Sequence, residues 1–243
     1  MGTDWRTYRK HRAKSCRPAT MTIERLLAAV PPPAAPVEAY DGLWEPIEAD
    51  LGTRLPQDYK DFVRLYGEGE FMEFLGIHVP QSWSPYVRLL SEARATARIF
   101  GSFEEELPYS LWPTAGGLLA FGKTDFGDYL FWLTRGAPED WTVVVWGRGL
   151  QQFEAFDCGL TDFLAGVATG QIDPQDFPEG ECERLFEPGL GTPDRERLGF
   201  GAAPTASLGI SWRLGWFGSG GSGVSTVRMR DEAYVAWERL ALR

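Results

Sequence analysis

The stretch GGLLAFGKTDFGDYLFWL, residues 116–133, decides how this chain folds. Two short apolar runs, Leu118–Phe121 and Tyr129–Leu133, flank the polar link Lys123-Thr124-Asp125-Phe126-Gly127-Asp128. Aromatic and branched side chains suit a pleated surface, and a link of five or six residues rich in Asp and Gly suits a hairpin loop. The same rhythm continues in Thr142–Trp146 and Gln152–Ala155, with Arg135–Asp140 as a second connection. Together these runs predict an antiparallel meander.

Upstream the period lengthens. Leu43, Trp44, Ile47 and Leu51 fall at helical spacing, and Gly52 follows as a stop. Pro56 opens a second helix, whose apolar stripe is Tyr59, Phe62, Val63 and Tyr66 and whose end is Gly67. After a short Phe71–Val79 stretch, Tyr86, Leu89, Leu90, Ala93, Ala97 and Phe100 predict a third. Downstream of the meander, Leu160, Phe163, Leu164 and Val167 predict a closing helix before Gly170. Thr22–Val30 reads as a short helix halted by Pro31-Pro32-Pro33.

The expected fold class is α+β, an antiparallel (mixed) sheet of about four to six strands with helices packed on it. Three zones follow: a basic, Pro/Ala-rich extension over 1–36, the α+β domain over 37–188, and a Gly/Ser-rich tail over 189–243, expected to be poorly ordered. Within that tail, Asp231–Leu242 has the pattern of a lone helix.

Composition narrows the function. Hydrophobic residues make up 44% of the chain and aromatic residues 14%, enough for a substantial core. No stretch approaches the roughly 20 apolar residues of a membrane span, and the basic start has no apolar run behind it, so cytoplasm is the expected location. Only His11 and His78 are present, leaving little material for a histidine-dependent triad or a His-rich metal centre. Cys16, Cys158 and Cys182 are widely spaced, with no CxxC pair, and predict neither a disulfide framework nor a zinc site. Cys158 reads as a half-buried small residue beside a helix start.

The net charge of −10 is unevenly spread. Residues 21–190 hold eleven Lys/Arg against twenty-eight Asp/Glu, whereas residues 1–20 hold six against one. So acidic a middle repels nucleic acid and anionic membrane and attracts cationic partners, although acidity also serves solubility alone.

Candidate chemistry is sparse. Asp125 and Asp128 share a loop and could hold a divalent ion or work as acid and base, but Asp is a favoured turn residue, and Gly127 supplies the left-handed conformation. Glu104-Glu105-Glu106 reads as a solvated charge run, and Glu68, Glu70 and Glu73 flank the stop of the second helix. Gly116-Gly117 and the 218–223 glycines lack the Lys-Ser/Thr of a phosphate loop. Trp44, Trp132, Trp141 and Trp146 sit in periodic elements and read as core.

The order and spacing of these pieces carry a resemblance. Trp44-Glu45-Pro46-Ile47-Glu48, Leu51-Gly52, Leu55-Pro56-Gln57-Asp58-Tyr59, Phe121-Gly122, Gly127-Asp128-Tyr129, Phe131-Trp132 and Val143–Trp146 resemble the SUKH superfamily, in its Knr-like (Smi/Knr) branch. The resemblance implies an α+β domain. For bacterial members it implies an immunity protein that neutralises a toxin, often a nuclease, by binding it. It also implies structural roles for Trp44, Pro56, Tyr59, Gly127 and Trp132. Contact residues have to be read from chemistry instead: Glu68, Glu70, Asp125, Phe126, Asp128, Glu139 and Asp140 are the expected partner-binding set. The expected partner is a cognate protein toxin with a cationic surface, with no nucleic acid, membrane, metal or cofactor. The alternative is a regulatory scaffold related to cell-wall assembly regulators. A third is a metal-dependent hydrolase using Asp125 and Asp128.

Overall fold

In this computed structural model, residues 14–15, 23–82, 84–103, 107–178 and 183–189 are described. The elements run β1 (Lys14–Ser15), α1 (Glu24–Ala29), α2 (Glu45–Leu51), α3 (Gln57–Tyr66), β2 (Gly69–Phe71), β3 (Leu75–Ile77), α4 (Leu89–Gly101), β4 (Leu118–Thr124), β5 (Tyr129–Leu133), β6 (Thr142–Gly147), β7 (Gln152–Asp157), α5 (Leu160–Thr169) and β8 (Phe186–Pro188). The strands form one sheet in the order β1-β7-β6-β5-β4-β3-β2-β8. Every pair is antiparallel except β1 with β7. The fold is α+β, and its sheet is wider than the four to six strands expected.

Alternation along the central strands explains the width of the apolar runs. Leu119, Phe121, Leu130, Trp132, Val143 and Val145 point to one face and enter the main core with residues of α1, α2, α3 and α5. Leu118, Ala120, Phe131, Val144 and Trp146 point to the other face and form a second cluster around Phe100 of α4. A strand covered on both faces reads as continuously hydrophobic, as β4 and β6 do. A register shift between Ala120 and Gly122 places an irregularity in β4 just before the hairpin.

The helix signals hold locally for physical reasons. Gly52 closes α2 at φ +69°, a left-handed value that costs glycine no Cβ clash. Pro56 caps α3 in an extended conformation, and Tyr59, Phe62, Val63 and Tyr66 bury its predicted stripe. Trp44 meets Tyr40 and Tyr59 edge-on at 5.0 and 5.8 Å. Tyr59 donates its hydroxyl to the His78 carbonyl at 2.8 Å and lies edge-on to Trp132 at 5.1 Å. Trp132 in turn stacks on Phe121. The motif residues are thus one aromatic chain from helix to sheet, and Trp132→Ala would cost about 3–5 kcal/mol.

Two expectations change. The folded unit starts before residue 37: Leu26 and Val30 are fully buried, the Tyr66 hydroxyl donates to the Val30 carbonyl at 2.6 Å, and Arg25 pairs with Asp162 at 2.7 Å. An amphipathic six-residue helix has enough apolar surface to dock on α5 even with a proline run behind it. Cys158, expected to be half-buried and unbridged, is fully buried and disulfide-bonded, its partner lying outside the described residues. Spacing along the chain does not measure the distance a sheet imposes, so the three separated cysteines misled. The Glu104–Glu106 run and the expectations for residues 190–243 also lie outside the described residues. No helix among the described residues is long and apolar enough to cross a membrane.

Candidate functional site

At one end of the sheet three connections converge: the β2–β3 turn, the β4–β5 loop and the β6–β7 turn. The Asp125 N–H donates to the Phe74 carbonyl at 2.9 Å, tying the first two together. Asp128 ties the second to the third. Its Oδ2 accepts from the Thr124 hydroxyl at 2.6 Å, and its Oδ1 accepts from the Arg148 backbone N–H at 2.9 Å. The Thr124 hydroxyl also accepts from the Asp128 N–H at 3.1 Å. Only 1% of Asp128 is exposed, and burial pushes its carboxyl above the ordinary range. Both carboxyl oxygens are therefore occupied in holding loops.

Gly127 has φ +92°, and a Cβ there would sit 2.8 Å from Arg148 Cδ. Glycine is needed both for the turn and for the approach of Arg148, whose guanidinium donates to the Phe126 carbonyl at 3.4 Å. Asp176 braces the β6–β7 turn by accepting from the Leu150 N–H at 2.8 Å.

On this frame stand exposed groups. Phe126 is 52% exposed and its ring lies 6.2 Å from Phe74, which contacts Phe177 and, through it, Phe163. Leu150 is 50% exposed. A hollow of about 340 Å³ beside Phe126 is lined by Phe126, Asp128, Arg148, Gly149, Asp176 and Pro178.

Nearby, Glu70 of β2 feels Asp125 and Glu187. Burial first, and then these two like charges, hold its carboxyl above the ordinary range. Asp125 is raised as well, by burial, against the opposing pull of Lys123. Burial is the larger cause for both groups, and for Glu70 the like charges of Asp125 and Glu187 add to it, a contribution that a cation would relieve.

The expected contact set divides three ways. Glu70, Asp125 and Phe126 are exposed and share this end of the molecule. Glu68 and Asp128 are buried. Glu68 is covered near Gly189 and Ser82, its backbone bonds to Val37 and Gly189, and burial raises its carboxyl. Glu139 and Asp140 are exposed in a 3-10 turn, Pro138–Asp140, between β5 and β6 at the opposite end of the strands.

Sequence reasoning passed over Glu187, Asp176 and Leu150. Leu150 follows Arg148-Gly149, a turn signal that could have flagged it. Glu187 carried no local signal, because only the pairing of β8 with β2 brings it opposite Glu70.

The hydrolase reading required Asp125 and Asp128 to act together. The Asp128 carboxylate instead accepts hydrogen bonds from Thr124 and Arg148, and among the described residues no group of three or more His, Cys, Asp or Glu is placed to hold a metal ion.

One family model, SUKH_6, described as SMI1-KNR4 cell-wall, matches residues 41–164. That span runs from the approach to α2 through the hairpins to the middle of α5 and contains the Trp44–Tyr59–Trp132 chain. No curated protein and no solved structure was found to match the chain.

Proposed function

This chain belongs to the SMI1-KNR4 cell-wall family of the SUKH superfamily, and on that premise we propose that it is a non-catalytic immunity protein that neutralises a cognate toxin by binding it. The observation that carries this reading is the gathering of three acids, Glu70 opposite Glu187 across β2 and β8 with Asp125 near enough to be felt by Glu70, at the end where an exposed Phe126 stands on braced loops. A nuclease toxin must hold a polyanion and so presents a cationic cleft. A rigid acidic surface with an aromatic anchor fills such a cleft, associates quickly under electrostatic steering and excludes the substrate. Binding stoichiometrically requires no reactive group, in keeping with an Asp128 wholly engaged in structure.

A titration with the toxin encoded by the adjacent gene, at low and high salt, tests the reading. Affinity should fall about tenfold or more between 50 and 500 mM salt, as screening weakens exposed charge. Affinity that ignores salt would sink the charge-based mechanism, and absence of binding would sink immunity.

The description of the family favours one other reading, a scaffold for a cell-wall or signalling protein. It predicts a gene with no toxin beside it and a partner recognised without strong salt dependence.

A further inference from the structure

The acidic groups explain attraction and Phe126 offers an anchor, but the exposed Leu150 at the same end has no role in that reading. Among the described residues five large hydrophobic side chains are substantially exposed: Leu43, Ile99, Phe103, Phe126 and Leu150. Of these only Phe126 belongs to the lining of the hollow at the braced loops, and Leu150 is one residue from that lining in the chain. Phe126 lines it directly; Leu150 follows Gly149, which also lines it, and its N–H rests on Asp176 on the other side. The two residues come from different hairpins, separated by all of β5 and β6. They are brought together by Asp128, which bonds the β4–β5 loop on one oxygen and the β6–β7 turn on the other.

We propose that Phe126 and Leu150 form a two-point apolar anchor, held in register by Asp128, for a partner segment carrying an aliphatic side chain between lysine or arginine residues. The proposal rests on the reading of the chain as a binding protein and names the chemistry of what is bound. The surface chooses that occupant. An aliphatic side chain fits a hollow of about 340 Å³ with Phe126 and Pro178 in its wall, and hot spots form where such an anchor is shielded from water. Asp176 in the lining and Asp125 beside Phe126 make the border of the hollow acidic, so the flanks of the segment must be cationic. Arg148 is the cation in the lining, and its guanidinium is turned to the Phe126 carbonyl. Asp128 acts through the two loops as a positioning residue, touching no partner itself.

The test uses the full chain and three synthetic peptides of equal length: alternating Arg and Leu, alternating Arg and Ser, and alternating Glu and Leu. Backbone amide spectra should shift at Phe126, Gly127 and Leu150 with the Arg-Leu peptide. The Arg-Ser peptide should bind about tenfold more weakly, and the Glu-Leu peptide should not bind. Phe126→Ala and Leu150→Ala, both at exposed positions, should each weaken the Arg-Leu peptide about tenfold with the melting temperature unchanged. Their effects should be coupled in the wild-type background and in Asp128→Asn, which keeps an acceptor for Arg148, and uncoupled in Asp128→Ala.

Equal affinity for the Arg-Leu and Arg-Ser peptides, shifts elsewhere, or no binding at millimolar peptide would overturn the anchor. A toxin that binds well but ignores Phe126→Ala would do the same while leaving immunity intact. Peptide binding at these residues with no toxin binding would leave the anchor standing without immunity.

Discussion

The two loops that begin and end β5 carry the same kinds of residue and put them to different uses. The β4–β5 loop contains Asp125, Gly127 and Asp128; the β5–β6 connection contains Gly136, Glu139 and Asp140. Both have a glycine at positive φ, +92° and +84°. At the first loop one aspartate is buried and bonds two other segments, while its neighbour three residues earlier stays in solvent. At the second both acids lie exposed in a 3-10 turn in which the Asp140 N–H donates to the Ala137 carbonyl. Acid content alone does not make a site. At the first end, two hydrogen bonds to one buried carboxylate brace the loops into a defined surface.

The sharpest way to break this contrast is to remove the brace. Asp128→Ala leaves the Thr124 hydroxyl and the Arg148 N–H without their acceptor, so it should cost about 2–3 kcal/mol in urea unfolding, whereas Glu139→Ala, at an exposed position of the second loop, should stay within about 0.5 kcal/mol. Equal losses would show that the two ends are equivalent.

Charge comes next. Replacing Glu70, Asp125 and Glu187 with their amides should weaken toxin binding about tenfold at low salt and flatten its salt dependence. The pair Glu139→Gln and Asp140→Asn should leave binding unchanged in the same titration.

The glycines offer a smaller comparison. Gly127→Ala should destabilise by about 1–2 kcal/mol, because the left-handed strain is joined by a Cβ contact of 2.8 Å with Arg148. Gly136→Ala should cost about 1 kcal/mol, since its Cβ would meet Asp140 at an ordinary 3.6 Å. Thermal melts of both variants decide the order.

The smallest effect depends on pH. The folded Glu70 carboxyl is raised, so the folded state binds its proton more readily than the unfolded chain. Its ionised form therefore opposes folding above the folded pKa, and the penalty disappears as pH falls below the ordinary value of 4.5. Glu70→Gln should melt slightly higher than wild type at neutral pH, with the advantage vanishing on acidification. A gap independent of pH would remove the ionised carboxyl, disfavoured first by burial and then by Asp125 and Glu187, as its cause.

Much of the architecture was legible because it rests on local pattern. Strand limits at Tyr129–Leu133 and the start of β6 at Thr142, the helix stops at Gly52, Gly67 and Gly170, and the stripe of α3 all follow from side-chain periodicity and glycine geometry. Family resemblance implied packing roles for Trp44, Tyr59 and Trp132, but their edge-to-ring contacts appear only in the fold. The β2–β3 hairpin escaped notice because three-residue strands, Gly69–Phe71 and Leu75–Ile77, are too short to show a period. The docking of α1 was hidden by the proline run that follows it.

The candidate site was half visible. By itself the sequence determined that Asp125, Phe126, Gly127 and Asp128 form a turn and that the middle of the chain is strongly acidic. Both properties belong to neighbouring residues or to composition. Tertiary structure alone decided that Asp128 is buried while Asp125 is exposed, that Glu187 lies opposite Glu70, and that the Leu150 N–H bonds Asp176, which lines the same hollow as Phe126. Those outcomes depend on strand pairing and on which atoms water can reach, quantities that exist only once distant segments have met.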